Sequence, residues 1–235
     1  MNAVAENLWT LQYPLTMLGA HINRTVTLVK LRSGELVIHS TAPFTPADVA
    51  SIQALGQPAY LVEAINAHDT FAKEGHAAFP HTPYLAPQGF SEAAGVPTQP
   101  LDPPPTAWGD ELAVLELAGK SEAMREYVML HRPSRTLIVA DLVFHVTDEA
   151  GLGQRIFAAV GLIGGQEQDT AMPRVEKLGV KDKAAFERSL EAMLEWDFER
   201  VIVGHGDVVE TGKVALTEAL LEAGFLSGRA DESTE

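Results

Sequence analysis

Residues 24–31 (RTVTLVKL) and 35–39 (ELVIH) are two apolar, β-branched runs divided by a tight Ser33-Gly34 turn. Apolar alternation over runs this short is a strand pattern, and so short a turn returns the chain antiparallel. Just beyond the hairpin stand Thr45, Pro46 and Asp48. They make a helix N-cap, a proline at the first helical position and an acid at the third, which predicts a helix to about Leu55. A hairpin that feeds directly into a helix excludes an all-α chain. It also fits poorly with a simple doubly wound sheet, in which strands and helices strictly alternate.

The rest of the chain continues the mixture. Residues 59–65 (AYLVEAI) read as a mostly buried strand, and 68–78 as a helix interrupted by Gly75 and stopped by Pro80. Residues 97–105 hold five prolines and read as a surface connection with no secondary structure. Strands are expected at 112–117, 126–131, 135–140 and 200–203, and helices at 149–163, 181–196 and 211–226. The helix at 181–196 is amphipathic, with Phe186, Leu190, Met193 and Leu194 on one face. The expected architecture is an α/β layered sandwich of two mixed sheets flanked by helices. Residues 1–228 are expected to form one domain and 229–235 a frayed polar tail.

Composition narrows the chemistry. With 17 Lys and Arg against 32 Asp and Glu, the formal charge of −15 repels phosphate backbones and anionic membrane surfaces. No nucleic-acid or membrane partner is expected, which leaves a small-molecule substrate or ligand. No Lys or Arg precedes Arg24, so a signal-peptide n-region is missing and a cytoplasmic location is expected. The absence of cysteine removes thiolate nucleophiles, disulfides and iron–sulfur clusters together. Any metal must be held by His and carboxylate, which suits zinc, iron or manganese.

Three polar residues lie just past the carboxyl ends of apolar runs, where ligand sites in α/β sheets collect. His68 follows AYLVEAI, Asp141 closes RTLIVAD, and His205 follows RVIVG between two glycines. A carboxylate within IVADLVF is expected to be buried, and a buried charge needs a partner or a metal. The bland alternatives are a helix cap or satisfied core residue for each His, and a pairing of Asp141 with Arg132 or Arg135. His39, His76 and His81 are placed to line the same cleft. Other motifs fail. Gly119-Lys120-Ser121 lacks the first glycine of a phosphate loop, Gly89 to Ala93 is an incomplete nucleophile elbow, Gly151-Leu152-Gly153 lacks a third glycine, and no His-Glu-x-x-His occurs.

Four stretches in order, RTVTLVKLRSGELVIHSTAPFT, YLVEAINAHDTFAKEGHAAFP, HRPSRTLIVADLVF and VIVGHGD, resemble the metallo-β-lactamase superfamily. The closest resemblance is to a branch that keeps the fold and has lost most of the metal motif. The resemblance implies a four-layer αβ/βα sandwich with a metal cleft at one edge. Of the signature H-x-H-x-D-H only the last position survives, as His68. Glu63, Ile65 and Ala67 replace the others, and Lys120 stands where a further ligand is expected. Asp141 matches the bridging carboxylate and His205 the final His.

What the resemblance leaves is one three-ligand site, His68, Asp141 and His205, with zinc the first expectation and iron or manganese the alternatives. Glu63, Asp69 and His76 are candidate supplements, and Lys120 a candidate contact for an anionic group. The implied activity is hydrolysis of an ester, lactone, thioester or phosphoester by metal-activated water. The competing expectation is a metal-free, non-catalytic member that binds a small ligand or a protein partner, with Asp141 neutralised by Lys120 or a nearby His.

Overall fold

The structure, a computed structural model, describes residues 1–17, 20–145 and 170–226. A seven-stranded sheet carries, in spatial order, β1 (Asn2–Ala5), β2 (Leu8–Met17), β3 (Ala20–Lys30), β4 (Glu35–His39), β5 (Gln57–Val62), β6 (Tyr84–Ala86) and β7 (Gln99–Pro100). Its first four strands pair antiparallel and the remainder parallel. The parallel crossovers carry helices α1 (Pro46–Leu55), α2 (Ala72–Ala78) and α3 (Phe90–Ala94). A second, four-stranded mixed sheet is built from β8 (Leu112–Glu116), β9 (Tyr127–His131), β10 (Thr136–Ile138) and β13 (Arg200–Ile202) in the order β13-β10-β9-β8. A two-stranded ribbon joins β11 (Phe144–His145) to β12 (Thr170–Ala171). Helices α4 (Arg174–Gly179), α5 (Lys183–Leu194) and α6 (Gly212–Glu222) complete the described elements.

Period-two alternation separates the layers. Leu28, Leu36, Ile38 and Leu61 face outward and pack on Ile52, Ala72 and Phe90 of the first three helices. Their neighbours Val29, Val37 and Val62 face inward and meet Met129, Ile138 and Ile202 of the other sheet. On the far side of that sheet, Leu130, Leu137 and Val201 pack on Phe186 and Leu190 of α5 and on Leu216 and Leu220 of α6. The result is helix, sheet, sheet, helix, as expected.

The predicted hairpin and first helix form with their capping signals in use. The Thr45 hydroxyl accepts from the Asp48 amide, and Asp48 accepts from the Thr45 amide in return. Elsewhere the structure differs in detail. β3 begins at Ala20, because β2, which the sequence reading lacks, pairs with it along its whole length. Helix α2 starts only at Ala72, after a turn at 65–68. Gly75 does not interrupt it but lets it lie against β4's exit, since a Cβ there would sit 2.5 Å from the Thr41 Cβ. Within 97–105, Gln99 and Pro100 form an edge strand, where a proline's missing N–H costs nothing. The predicted helix at 149–163 and the tail at 229–235 lie outside the described residues. No described helix is long and apolar enough to cross a membrane.

Candidate metal centre

β10 and β13 are parallel neighbours, so their carboxyl ends emerge side by side and deliver Asp141 and His205 together. The loop after β5 brings His68 to them from the facing sheet. The two second-sheet loops are in near contact. The Gly204 amide donates to the Ala140 carbonyl (3.0 Å), and a Cβ on Gly206, whose φ is +118°, would lie 1.9 Å from the His145 carbonyl oxygen. Only glycine fits there, which explains one of the two glycines flanking His205.

The three side chains converge through one atom each. His68 Nε2 lies 2.8 Å from Asp141 Oδ1, His205 Nε2 lies 3.2 Å from the same oxygen, and the two Nε2 atoms are 3.3 Å apart. His68 and His205 are buried, and the Asp141 side chain keeps 13% exposure. Among the described residues this is the one group of three or more His, Asp or Glu side chains with metal-ligating spacing.

The far side of each of these side chains is also held. His205 Nδ1 donates to the Asn23 carbonyl oxygen at 2.5 Å. His68 Nδ1 faces Glu63 Oε1 at 3.6 Å. The Asp141 loop is gripped by Glu126, whose Oε1 accepts from the amides of Ala140, Asp141 and Leu142 at 3.0–3.1 Å. Phe144 closes the His205 side, its ring 4.7 Å from the imidazole.

Electrostatics follow from this packing. Burial pushes the Asp141 carboxyl up, but the His68 and His205 rings outweigh it and hold it well below the usual carboxylate range. Burial lowers His205, with Asp141 only partly offsetting it. Burial and Arg24 press His68 down, yet Asp141 and Glu63 prevail and its pKa is raised. Burial alone would raise Glu63, but His68 and Arg24 hold it low. His39, buried beside this network with no hydrogen bond at either ring nitrogen among the described residues, is driven down to about 4 and is neutral.

Of the residues singled out from sequence, His68, Asp141 and His205 come together. Glu63 sits behind His68 and not among them. Asp69 is exposed, and His76 stacks on the Tyr84 ring. Lys120 is buried between Glu126 (2.6 Å) and Glu176, both fully buried. Arg135, a sequence candidate to pair with Asp141, pairs with Asp197 and Glu199. Sequence reasoning missed Arg24, Asn23, Glu126 and Glu176. A charged residue at the first position of an apolar strand was the one available signal, for Arg24 and Glu126.

The model of a family described as a domain of unknown function (DUF4336) matches residues 5–174. The chain belongs to the DUF4336 family. The matched region holds His68 and Asp141, while His205 lies beyond it. No curated protein matches this DUF4336 chain. Solved structures do. A metallo-β-lactamase from Pontibacter korlensis is 11% identical with a TM-score of 0.61, over 95% of this chain and 97% of the other. The metallo-β-lactamase FIM-1 from Pseudomonas aeruginosa, in its mono-zinc form, is 13% identical with a TM-score of 0.63, over 96% of each chain. A metal-soaked Flv1 flavodiiron core from Synechocystis is 13% identical with a TM-score of 0.63, over 94% of this chain and 59% of that one. The DUF4336 chain therefore has the metallo-β-lactamase fold.

Proposed function

We propose that the chain is a metal-dependent hydrolase that holds a single divalent ion, zinc first, through His68 Nε2, Asp141 Oδ1 and His205 Nε2. One observation carries this reading. Asn23 offers a backbone carbonyl, which only accepts, so the single proton of a neutral His205 is committed to Nδ1. Its Nε2 lone pair then faces the ionised Asp141 oxygen at 3.2 Å. Two acceptors in that position need a proton or a metal ion between them, and burial, which lowers the His205 pKa, disfavours the proton.

The donor set fits the ion. Ligands about 2.0–2.1 Å from a tetrahedral zinc lie about 3.3 Å from one another; the separations from His205 are 3.2 and 3.3 Å, while His68 and Asp141, at hydrogen-bond distance of 2.8 Å, would move apart to admit the ion. Two imidazoles and a carboxylate are a catalytic zinc complement with one position open, and iron and manganese accept the same donors.

A bound zinc supplies Lewis acidity and a nucleophile at neutral pH, the chemistry that cleaves an ester, lactone, thioester or phosphoester. The chain's own part is to hold both imidazoles with Nε2 inward, keep Asp141 ionised and close the His205 side with the Phe144 ring. The metal-free alternative has Asp141 neutralised by Lys120 or a nearby His; Lys120 is bonded to Glu126 and Glu176 instead, so that reading rests on His68 and His205, which do contact Asp141.

The test is elemental analysis of gently purified protein and of His205→Ala, with hydrolysis of generic esters and lactones before and after chelation. Near-stoichiometric metal that is lost in His205→Ala is expected, with turnover that chelator abolishes and zinc restores. No stoichiometric transition metal in the parent, and no change on substitution, refutes the proposal.

A further inference from the structure

We infer that Glu63 is the positioning residue of this site, a fixed acceptor that holds the His68 ring with Nε2 toward Asp141 and His205. The inference rests on the metal-binding reading above. An imidazole that ligates through Nε2 carries its proton on Nδ1, and that N–H needs an acceptor when buried. His68 Nδ1 is buried and has no hydrogen bond within ordinary range among the described residues. The group facing it is Glu63 Oε1, at 3.6 Å, one small ring rotation from a bond.

Glu63 is built to stay where it is. Its Oε1 accepts from Ser40 Oγ (2.9 Å) and Arg24 Nη1 (3.3 Å). Its Oε2 accepts from Thr41 Oγ1 (2.9 Å), Tyr84 OH (3.0 Å) and the Thr41 amide (3.3 Å). These donors come from β3, from the exit of β4 and from β6, so strands on both sides of β5 clamp the carboxylate that follows it. Ser40 is held at φ 70°, a left-handed conformation uncommon for serine, at the position that aims its hydroxyl at Glu63. A carboxylate so saturated by donors stays ionised, and its one approach on the His68 side serves Nδ1. Glu63 thereby does for His68 what the Asn23 carbonyl does for His205 and Glu126 does for the Asp141 loop.

The experiment is zinc titration of the full chain and of Glu63→Gln, with the His68 ring followed by nitrogen–proton NMR. In the zinc-loaded parent the His68 proton is expected on Nδ1, slowly exchanging and shifted downfield. Glu63→Gln is expected to unfold cooperatively, to bind zinc about 10- to 100-fold more weakly, and to lose that signal, which a merely structural role would leave in place. Should the single variant fail to fold, Arg24→Gln with Glu63→Gln leaves no buried charge unpaired and carries the same expectation. Zinc binding as tight as the parent's in a folded variant overturns the inference and spares the metal reading. So does a zinc-loaded parent whose His68 proton is absent from Nδ1. A parent that binds no metal overturns both.

Discussion

Glu176, Lys120 and Glu126 form a dry cluster in which two carboxylates share one ammonium. Burial pushes the Glu176 carboxyl up to about 8, with Glu126 and Asp141 adding to the rise and Lys120 opposing it. In the native state Glu176 therefore keeps its proton at neutral pH, whereas in the unfolded chain it titrates near 4.5. The native state binds the extra proton throughout that window, so stability falls as pH rises. The contribution is complete below about 4.5 and is gone above about 8. At about 1.4 kcal/mol per unit the whole shift corresponds to about 5 kcal/mol. Glu176→Gln substitutes a neutral amide of the same shape for the protonated acid. It is expected to lie within about 1 kcal/mol of the parent at pH 5 and to become more stable than the parent by several kcal/mol at pH 9. Urea unfolding between pH 5 and pH 9, followed by far-UV circular dichroism and by the fluorescence of the buried Trp108, measures both proteins. His39 and His131, each lowered by burial to about 4, give the opposite slope in acid, but both proteins share them and they cancel in the difference. Parent and variant curves that stay parallel across the range refute the assignment of a protonated Glu176.

Two further perturbations probe the scaffold. Gly206→Ala forces a side chain into a φ of +118° and against the His145 carbonyl. A loss of about 2 kcal/mol or more is expected in thermal melts, with reduced zinc stoichiometry because His205 is displaced. Thr45→Ala removes the capping box of α1, far from the ligands, and is expected to cost about 1 kcal/mol with zinc binding unchanged.

What was legible in the sequence was local. The hairpin at 24–39 and the helix after Thr45 are dictated by alternation and capping, which neighbouring residues decide between themselves. β2 was not legible, because Pro14 within LWTLQYPLTM argues against a strand. The structure resolves the conflict. β1 pairs with β2 only as far as Thr10, so Pro14 lies where β2 is a sheet edge and a missing N–H leaves no ladder bond unmade. The site divides in the same way. His68, Asp141 and His205 could be read because each stands just past an apolar strand, and strand ends gather in an α/β sandwich. Their supports could not, because a support is defined by what lies across the fold. Asn23 contributes a carbonyl, which no residue identity encodes. Lys120 looked like a free cation near the cleft, and only the pairing with Glu126 and with Glu176, far along the chain, removes its charge from the reach of a substrate. Glu63 was visible as an acid in an apolar run, yet its place behind the ligands is decided by Arg24, Ser40, Thr41 and Tyr84 from neighbouring strands. Those donors hold Glu63 on the Nδ1 side of His68, 3.6 Å from that atom, while Asp141 and His205 meet the same ring at Nε2. Which edge of the ring a carboxylate faces, more than its position in the motif, sets Glu63 apart from Asp141.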